Sequence, residues 1–206
     1  MLTILTVCTG NICRSPLAEK ILASNLADLG VTVVSAGTHA RHGMQMTAEA
    51  GSLAEARGVQ RSHISTHRAQ PLTLPVLSQA NLILGMAREH RRAAVELAPA
   101  SVRALFTIRE FARLATAAAD ARLLDAATDA GPATADRFAA MLAVLSNGRG
   151  VLTPSHSASD DDVVDPYRRS SATYARSMHE LEPGIAQVER VVRLAVAAPP
   201  ANSKMS

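Results

Sequence analysis

The chain has 206 residues, a formal net charge of +3 and a pI near 9.3, and 48% of its residues are hydrophobic. This composition is typical of a soluble globular protein with one sizeable core. Aromatic residues make up only 2% of the chain, which argues against a base-stacking surface and hence against a nucleic-acid partner. No run approaches the ~20 consecutive apolar residues that a membrane span needs, so no membrane insertion is expected.

Apolar runs and helical spacing alternate along the chain. Strands are predicted at 2–7, 31–36, 81–86 and 102–107. Helices are predicted at 15–29, 47–56, 74–79, 88–97, 108–127, 134–145 and 171–197, the last with a bend near 183–184. The alternation predicts an α/β fold, in which a four-stranded parallel sheet is flanked by helices on both faces.

A loop with unusual chemistry joins the first strand to the first helix. It reads Val7-Cys8-Thr9-Gly10-Asn11-Ile12-Cys13-Arg14-Ser15-Pro16. Ser15 is a favourable N-cap and Pro16 suits the first helical turn, so the helix would point its free N–H groups and positive dipole into the loop. A loop of this kind is predicted to bind an anion.

The spacing of Cys8 and Arg14 indicates phosphate chemistry. The five residues between them allow the loop to curl around an anion, with Gly10 supplying permissive backbone angles. Arg14 would grip phosphate oxygens with two N–H groups, and the positive field would favour the thiolate of Cys8. These are the groups needed for phosphoryl transfer through a phosphocysteine.

The loop resembles the signature of the low-molecular-weight protein tyrosine phosphatases. The resemblance implies that Cys8 is the nucleophile, that the loop binds phosphate and that neighbouring side chains support it. The implied phosphate-binding residues are Thr9, Gly10, Asn11, Ile12, Cys13 and Arg14, and the implied supporting residues are Ser15, Ser35, Pro166 and Tyr167. His67 is a further candidate for the supporting network, although the chain has six other histidines.

A second motif, Asp165-Pro166-Tyr167, precedes the last predicted helix and resembles the acid loop of the family. Asp165 would protonate the leaving ester oxygen and then take a proton from the water that hydrolyses the phosphocysteine. Tyr167 would form a pocket wall. Arg168 follows it as in the bacterial members, either to attract an acidic phosphopeptide or as an ordinary surface charge. The aspartates at 160–162 are predicted to form a solvated charge run.

Three further positions bear on redox chemistry and specificity. The resemblance implies that Cys13 pairs reversibly with the nucleophile and protects it from over-oxidation; the alternative is that Cys13 simply packs. Arg41 or His42 stands where the family often has a large aromatic residue or leucine, and Ala87 stands where an acidic residue is usual. These changes leave the chemistry intact but alter the expected substrate pocket.

The domain organisation follows from the same resemblance. Residues 1–198 are predicted to form a single phosphatase domain, and 199–206 a disordered tail. Relative to the compact pattern of the family, about 112–160 is an insertion, which is expected to form helices near the acid loop.

The leading functional prediction is hydrolysis of phosphotyrosine in a protein substrate, with no metal or cofactor. Three alternatives remain open at this point: an arsenate reductase that uses an external thiol, a phosphate- or phosphopeptide-binding module, and a phosphatase for small aryl or sugar phosphates. The chain has only two cysteines, and a thiolate nucleophile needs a reducing compartment, so a cytoplasmic location is predicted. The apolar run at the N-terminus is too short for a signal peptide.

Overall fold

The computed structural model describes residues 1–150 and 157–198, which contain one four-stranded sheet. All strand pairs are parallel and the spatial order is β2-β1-β3-β4. The strands are β1 (Thr3–Cys8), β2 (Thr32–Gly37), β3 (Leu82–Gly85) and β4 (Leu105–Thr107). β1 lies between β2 and β3, so its carboxyl end meets the ends of both neighbours, and the predicted sheet is confirmed.

The helices connect and cover these strands. They are α1 (Arg14–Asn25), α2 (Ala48–Glu55), α3 (Arg61–Ser65), α4 (Leu74–Ser78), α5 (Arg88–Leu97), α6 (Ile108–Ala117), α7 (Asp120–Asp129), α8 (Thr134–Asn147) and α9 (Ser171–Ala197). Short 3-10 turns occupy Ala27–Leu29, Pro99–Ala104, Gly148–Gly150 and Ala158–Asp161. None of these helices, within the two described ranges, is long and apolar enough to cross a membrane.

Alternate residues of each strand point to opposite faces of the sheet, and both faces are buried. Ile4 and Leu84 belong to a large core with side chains from α1, α6, α8 and α9. Leu5 and Ile83 belong to a second core, which α4 and α5 cover. Burial on both faces explains why the strands appear in the sequence as continuous apolar runs.

Some predicted boundaries are wrong. The first helix ends at Asn25, and a 3-10 turn leads to Gly30, which is left-handed with φ of 62°. The short helix α3 has no counterpart among the predicted helices. The stretch 102–104 belongs to a 3-10 turn rather than to β4. The last helix is continuous through Pro183, and the bend near 183–184 stays a prediction.

The predicted helix at 108–127 is two helices, α6 and α7, which separate at Ala118. The sequence there is alanine-rich and shows no breaker. Instead, Arg190 of α9 donates to the carbonyl of Ala115 over 2.8 Å and to that of Ala118 over 2.7 Å. Arg190 thus satisfies the free carbonyls at the end of α6 and favours termination there.

The segment predicted as an insertion contains most of α6, together with α7 and α8. These helices pack against α9 and against one another. The extent of the domain and the status of the segment as an insertion stay predictions. The predicted tail at 199–206 lies outside the described residues, as do residues 151–156 of the predicted insertion.

The crossing of α6 and α9 requires a glycine. A Cβ atom on Gly184 would lie 2.8 Å from the carbonyl oxygen of Ile108 and would collide with the Ile108 side chain. Gly184→Ala is expected to lower the free energy of unfolding by about 1–3 kcal/mol, because overpacking outweighs the ~1 kcal/mol gained in helix propensity. Urea denaturation measures the change.

Gly150→Ala is the control, because a Cβ atom there meets nothing within 4 Å. Its effect is expected to stay within about 0.5 kcal/mol. Equal stability of the Gly184→Ala protein and the parent would contradict the close crossing of the two helices.

Candidate active site

Cys8 is the last residue of β1, and the loop after it turns back over its sulfur. Asn11 has a left-handed backbone with φ of 56°, and its amide N–H donates to Cys8 Sγ over 3.2 Å. The Ser15 hydroxyl donates to the same sulfur over 3.0 Å. Two donors aimed at one buried sulfur stabilise negative charge on that atom.

Ser15 does not cap α1, contrary to the prediction. The N-cap residue is Cys13, whose side chain makes no capping hydrogen bond, and the helix begins at Arg14. Ser15 therefore lies within the first helical turn, where its hydroxyl faces the Cys8 sulfur. The Ser15 hydroxyl therefore binds the Cys8 sulfur and does not cap the helix.

The Asn11 side chain is fully buried and connects the loop to its surroundings. Its Nδ2 group donates to Ser15 Oγ over 3.0 Å and to Ser35 Oγ over 2.7 Å. Its Oδ1 atom accepts from the backbone N–H of Gln70 over 2.9 Å. The Ser35 hydroxyl in turn donates to the carboxylate of Glu19. These bonds use both N–H groups and the oxygen of the Asn11 side chain, and they hold its backbone in the left-handed conformation.

His67 also belongs to this network. Its Nε2 atom lies 2.8 Å from the Asn11 carbonyl oxygen, which can only accept, so Nε2 carries a proton. Burial lowers the pKa of His67, which favours the neutral ring. The resemblance had suggested this histidine, and the structure places it beneath the loop.

Arg14 connects the phosphate-binding loop to the predicted acid loop. Its side chain is only 4% exposed, and Nη1 donates to the carbonyl of Val163 over 3.1 Å. Nη2 donates to Asp165 Oδ2 over 2.8 Å, although the Asp165 side chain is 52% exposed. Asp165 Oδ1 accepts from the Tyr167 N–H over 3.1 Å. The three predicted catalytic residues therefore meet at one end of the sheet.

The acid loop is held to the body of the protein by backbone contacts. The N–H of Val163 donates to the carbonyl of Met86 over 2.8 Å, at the end of β3. The N–H of Val164 donates to Glu180 Oε2 over 2.8 Å. Glu180 lies on α9 and also pairs with Arg176. The residues just before Asp165 are therefore fixed from two sides.

The prediction of a solvated charge run at 160–162 is wrong for two of its members. Asp162 forms an ion pair with the Arg88 guanidinium at 2.9 Å and accepts from the Arg88 N–H over 2.8 Å at the start of α5. Asp161 pairs with Arg113 of α6 at 3.3 Å. Nothing in the local sequence indicated these partners, because they lie about 50 to 75 residues away in the chain.

A pocket of about 310 Å³ opens above the Cys8 sulfur. The loop after β2 and the acid loop form its two walls. Its lining consists of Cys8, Thr9, Gly10, Ile12, Cys13, Arg14, His39, Arg41, Met44, Asp165, Tyr167 and Arg168. Arg41 is thus the one of the two predicted alternatives that lines the pocket, and His39 and Met44 are members that sequence reasoning missed.

Cys13 faces a different environment from Cys8. Its sulfur lies 3.5 Å from the hydroxyl of Tyr174 and 3.6 Å from that of Thr47, and burial raises the pKa of the Cys13 thiol. Both cysteines are free thiols in the structure. These contacts account for the packing of Cys13, and its redox role stays a prediction.

His90 is a buried residue of the site that the sequence did not indicate. Its Nε2 atom lies 2.9 Å from the Thr9 hydroxyl, and its Nδ1 atom has no hydrogen-bond partner among the described residues. Burial, assisted by the nearby charge of Arg14, lowers the pKa of His90 to about 4. The ring is therefore neutral at physiological pH and supports the start of the loop.

This pKa has a consequence for stability. Between pH 6.5 and 4 the unfolded chain protonates this histidine and the folded protein does not, so His90 makes folding less favourable as the pH falls. We expect wild type to lose about 2–3 kcal/mol more unfolding free energy than His90→Gln between pH 7 and 4. Urea denaturation across this range tests the difference.

The exposed His179→Gln variant controls for the loss of an imidazole elsewhere. A constant gap between the wild type and His90→Gln over the whole pH range would contradict the assignment of a neutral, buried His90.

The chain is similar in sequence to a known family of phosphatases. The profile of the family described as low molecular weight phosphotyrosine protein phosphatase matches residues 3–148. This stretch contains the loop from Cys8 to Ser15 and ends before Asp165.

Individual relatives agree with the family match. The probable low molecular weight protein-tyrosine-phosphatase EpsP of Ralstonia nicotianae is 40% identical over 108 residues, which cover 52% of this chain and 71% of that protein. A protein-arginine-phosphatase of Geobacillus stearothermophilus is 33% identical over 108 residues, covering 52% of this chain and 70% of that protein.

A solved structure extends the likeness to the whole fold. The low molecular weight protein tyrosine phosphatase from T. tengcongensis superposes with a TM-score of 0.62 at 29% identity, covering 91% of this chain and 97% of that one. The profile match spans well over half of the chain and includes the loop that holds Cys8 and Arg14. The chain therefore belongs to the low molecular weight phosphotyrosine protein phosphatase family.

Proposed function

We propose that this protein hydrolyses phosphotyrosine in protein substrates through a phosphocysteine intermediate. The observation that carries the proposal is the Cys8 sulfur, which receives two hydrogen bonds at the base of a pocket that Arg14 and Asp165 close. A nucleophile, a phosphate-binding cation and a proton donor are thereby available to one phosphoryl group.

The reaction follows from these positions. The Cys8 thiolate attacks phosphorus and displaces the tyrosine oxygen, while Arg14 holds two phosphoryl oxygens. Protonated Asp165 gives its proton to the departing oxygen, so tyrosine leaves as the neutral phenol. Water then attacks the phosphocysteine, Asp165 takes a proton from that water, and inorganic phosphate and the thiolate are released. Substrate binding must first draw Arg14 away from Asp165, because they are paired in the structure.

The pocket favours an aryl ester over a phosphorylated guanidinium, the substrate class that the Geobacillus relative's name indicates. Ile12, Met44 and Tyr167 offer apolar and aromatic surface to a phenyl ring. Arg41 and Arg168 would repel a second guanidinium at the mouth. For the alternative of arsenate reduction with an external thiol, no contact among the described residues gives similar support.

We also infer a cytoplasmic location and a partner that is a phosphotyrosine protein rather than a nucleic acid. The inference of location rests on the need of a thiolate nucleophile for a reducing compartment. The inference of partner rests on the pocket and on the scarcity of aromatic residues.

Hydrolysis of phenyl phosphate, p-nitrophenyl phosphate and a phosphotyrosine peptide, with a chelator present, tests the mechanism. Cys8→Ser is expected to abolish turnover. Asp165→Asn is expected to lower kcat on the peptide and on phenyl phosphate roughly 100- to 1,000-fold, and to affect p-nitrophenyl phosphate less, because that leaving group departs without a proton.

Asp125→Asn, an exposed aspartate on α7, is the matched control and is expected to retain activity. An inactive wild type in reducing buffer would overturn the phosphatase proposal. A wild type that prefers a phosphoarginine peptide would overturn the substrate class.

A second variant tests how the acid loop is held. Glu180→Gln weakens the acceptor of the Val164 N–H and the ion pair with Arg176. Because Asp165 follows Val164 directly, we expect kcat to fall roughly tenfold through misplacement of the acid, with little change in KM.

Glu182→Gln is the control for Glu180→Gln. Glu182 lies on the same helix and pairs with Arg57, away from the acid loop. Equal kcat values for the two variants would show that Glu180 does not position the acid.

A further inference from the structure

Most arginines of the described ranges are neutralised by a carboxylate or donate to backbone carbonyls. The arginines for which these ranges provide neither kind of partner are Arg41, Arg103, Arg122, Arg168 and Arg169, and all of them are exposed. Most of the positive charge that is free to meet a ligand therefore resides on these side chains.

The unpaired arginines are not spread evenly over the surface. Arg41 and Arg168 line the pocket above Cys8, one from the loop after β2 and the other from the acid loop. Arg169 lines an open groove that shares Asp165 with this pocket. Three of the five therefore surround the place where the phosphoryl group is proposed to bind.

Arg168 is also held in position. Its backbone is left-handed with φ of 60°, which is uncommon for a residue other than glycine. Its guanidinium carbon lies 5.1 Å from the centre of the Tyr167 ring, a cation–π contact. The exposed charge is thus placed over the pocket wall that Tyr167 forms.

None of the described carboxylates forms an ion pair with Arg41, Arg168 or Arg169, although the exposed Glu89 lies near the pocket, 3.3 Å from His90 Nε2. Asp165 is the one carboxylate among the residues that line the pocket, and Arg14 already pairs with it. A polypeptide whose phosphotyrosine enters the pocket must pass Arg41 on one side and Arg168 and Arg169 on the other. Carboxylates at its flanking positions would meet these cations, whereas lysine or arginine there would be repelled.

We propose that the substrates are phosphotyrosine segments with acidic residues on both sides of the phosphotyrosine, and that Arg41, Arg168 and Arg169 select them. This inference rests on the proposed function and specifies its substrate class. These arginines are specificity residues, which act on the flanks of the substrate and not on the reacting atoms.

Three phosphotyrosine peptides of equal length, with glutamate, serine or lysine at the flanking positions, provide the test. For wild type we expect kcat/KM to be about tenfold higher for the glutamate peptide than for the lysine peptide at low salt. The ratio is expected to shrink in about 0.5 M salt, because exposed charges are screened.

Charge reversal tests whether the arginines at the rim of the pocket, Arg41 and Arg168, cause the preference for acidic flanks. In Arg41→Glu/Arg168→Glu the preference is expected to fall to unity or invert. The control Arg103→Glu/Arg122→Glu makes the same change in net charge away from the pocket and is expected to keep the preference of the wild type. Each ratio is taken within one protein, so a difference in overall activity or folded fraction cancels.

The possible outcomes distinguish failure of the inferred substrate preference from failure of the proposed phosphatase activity. Equal turnover of all three peptides by wild type, or a preference that survives in Arg41→Glu/Arg168→Glu, overturns the rim inference and leaves the phosphatase proposal standing. Failure of wild type to hydrolyse any of the peptides overturns the proposed function and the rim inference with it.

Discussion

The site depends above all on the buried amide of Asn11. A left-handed backbone at a residue other than glycine is unfavourable unless its surroundings hold it. Here the surroundings consist of two serine hydroxyls, the Gln70 N–H and His67, which together satisfy the side chain and the carbonyl. Because Asn11 is held in this way, its own N–H points at the Cys8 sulfur. The position of the Cys8 sulfur, the proposed nucleophile, is therefore set by residues that do not line the pocket.

The parallel sheet explains why distant parts of the chain converge on this point. Cys8 ends β1, the loop after β2 carries Arg41, and the carbonyl of the residue after β3 accepts from the N–H of Val163. The carboxyl ends of parallel strands lie along the same edge, and ligands bind there in open α/β sheets. The acid loop is held at the same edge because Glu180 of α9 accepts a hydrogen bond from the N–H of Val164.

Sequence reasoning predicted the fold correctly and singled out Cys8, Arg14 and Asp165, which lie together in the structure, and both predictions depend on local signals. Apolar runs identify strands buried on two faces, and the motifs around Cys8 and Asp165 are contiguous in the chain. It wrongly predicted Ser15 as the N-cap of α1, because a serine before proline is a good cap by local rules. In the structure the Ser15 hydroxyl instead donates to the sulfur of Cys8, seven residues earlier in the chain. It missed His90, Glu180 and the partners of Asp161 and Asp162, which are brought together only by tertiary structure. The break between α6 and α7 was missed for the same reason, because the hydrogen bonds that favour it come from Arg190 on another helix.

Because Arg14 is paired with Asp165, any anion that enters the pocket must compete with a carboxylate of the protein. A carboxylate already occupies one side of the buried guanidinium, so an anion from solution gains only the difference between its own contacts and those of Asp165. A small monovalent anion such as chloride offers a single contact and gains little. A phosphoryl dianion can engage both the guanidinium and the loop N–H groups, and it repels the carboxylate as it enters. Competition with Asp165 therefore penalises a monovalent anion at Arg14 more than a phosphoryl dianion.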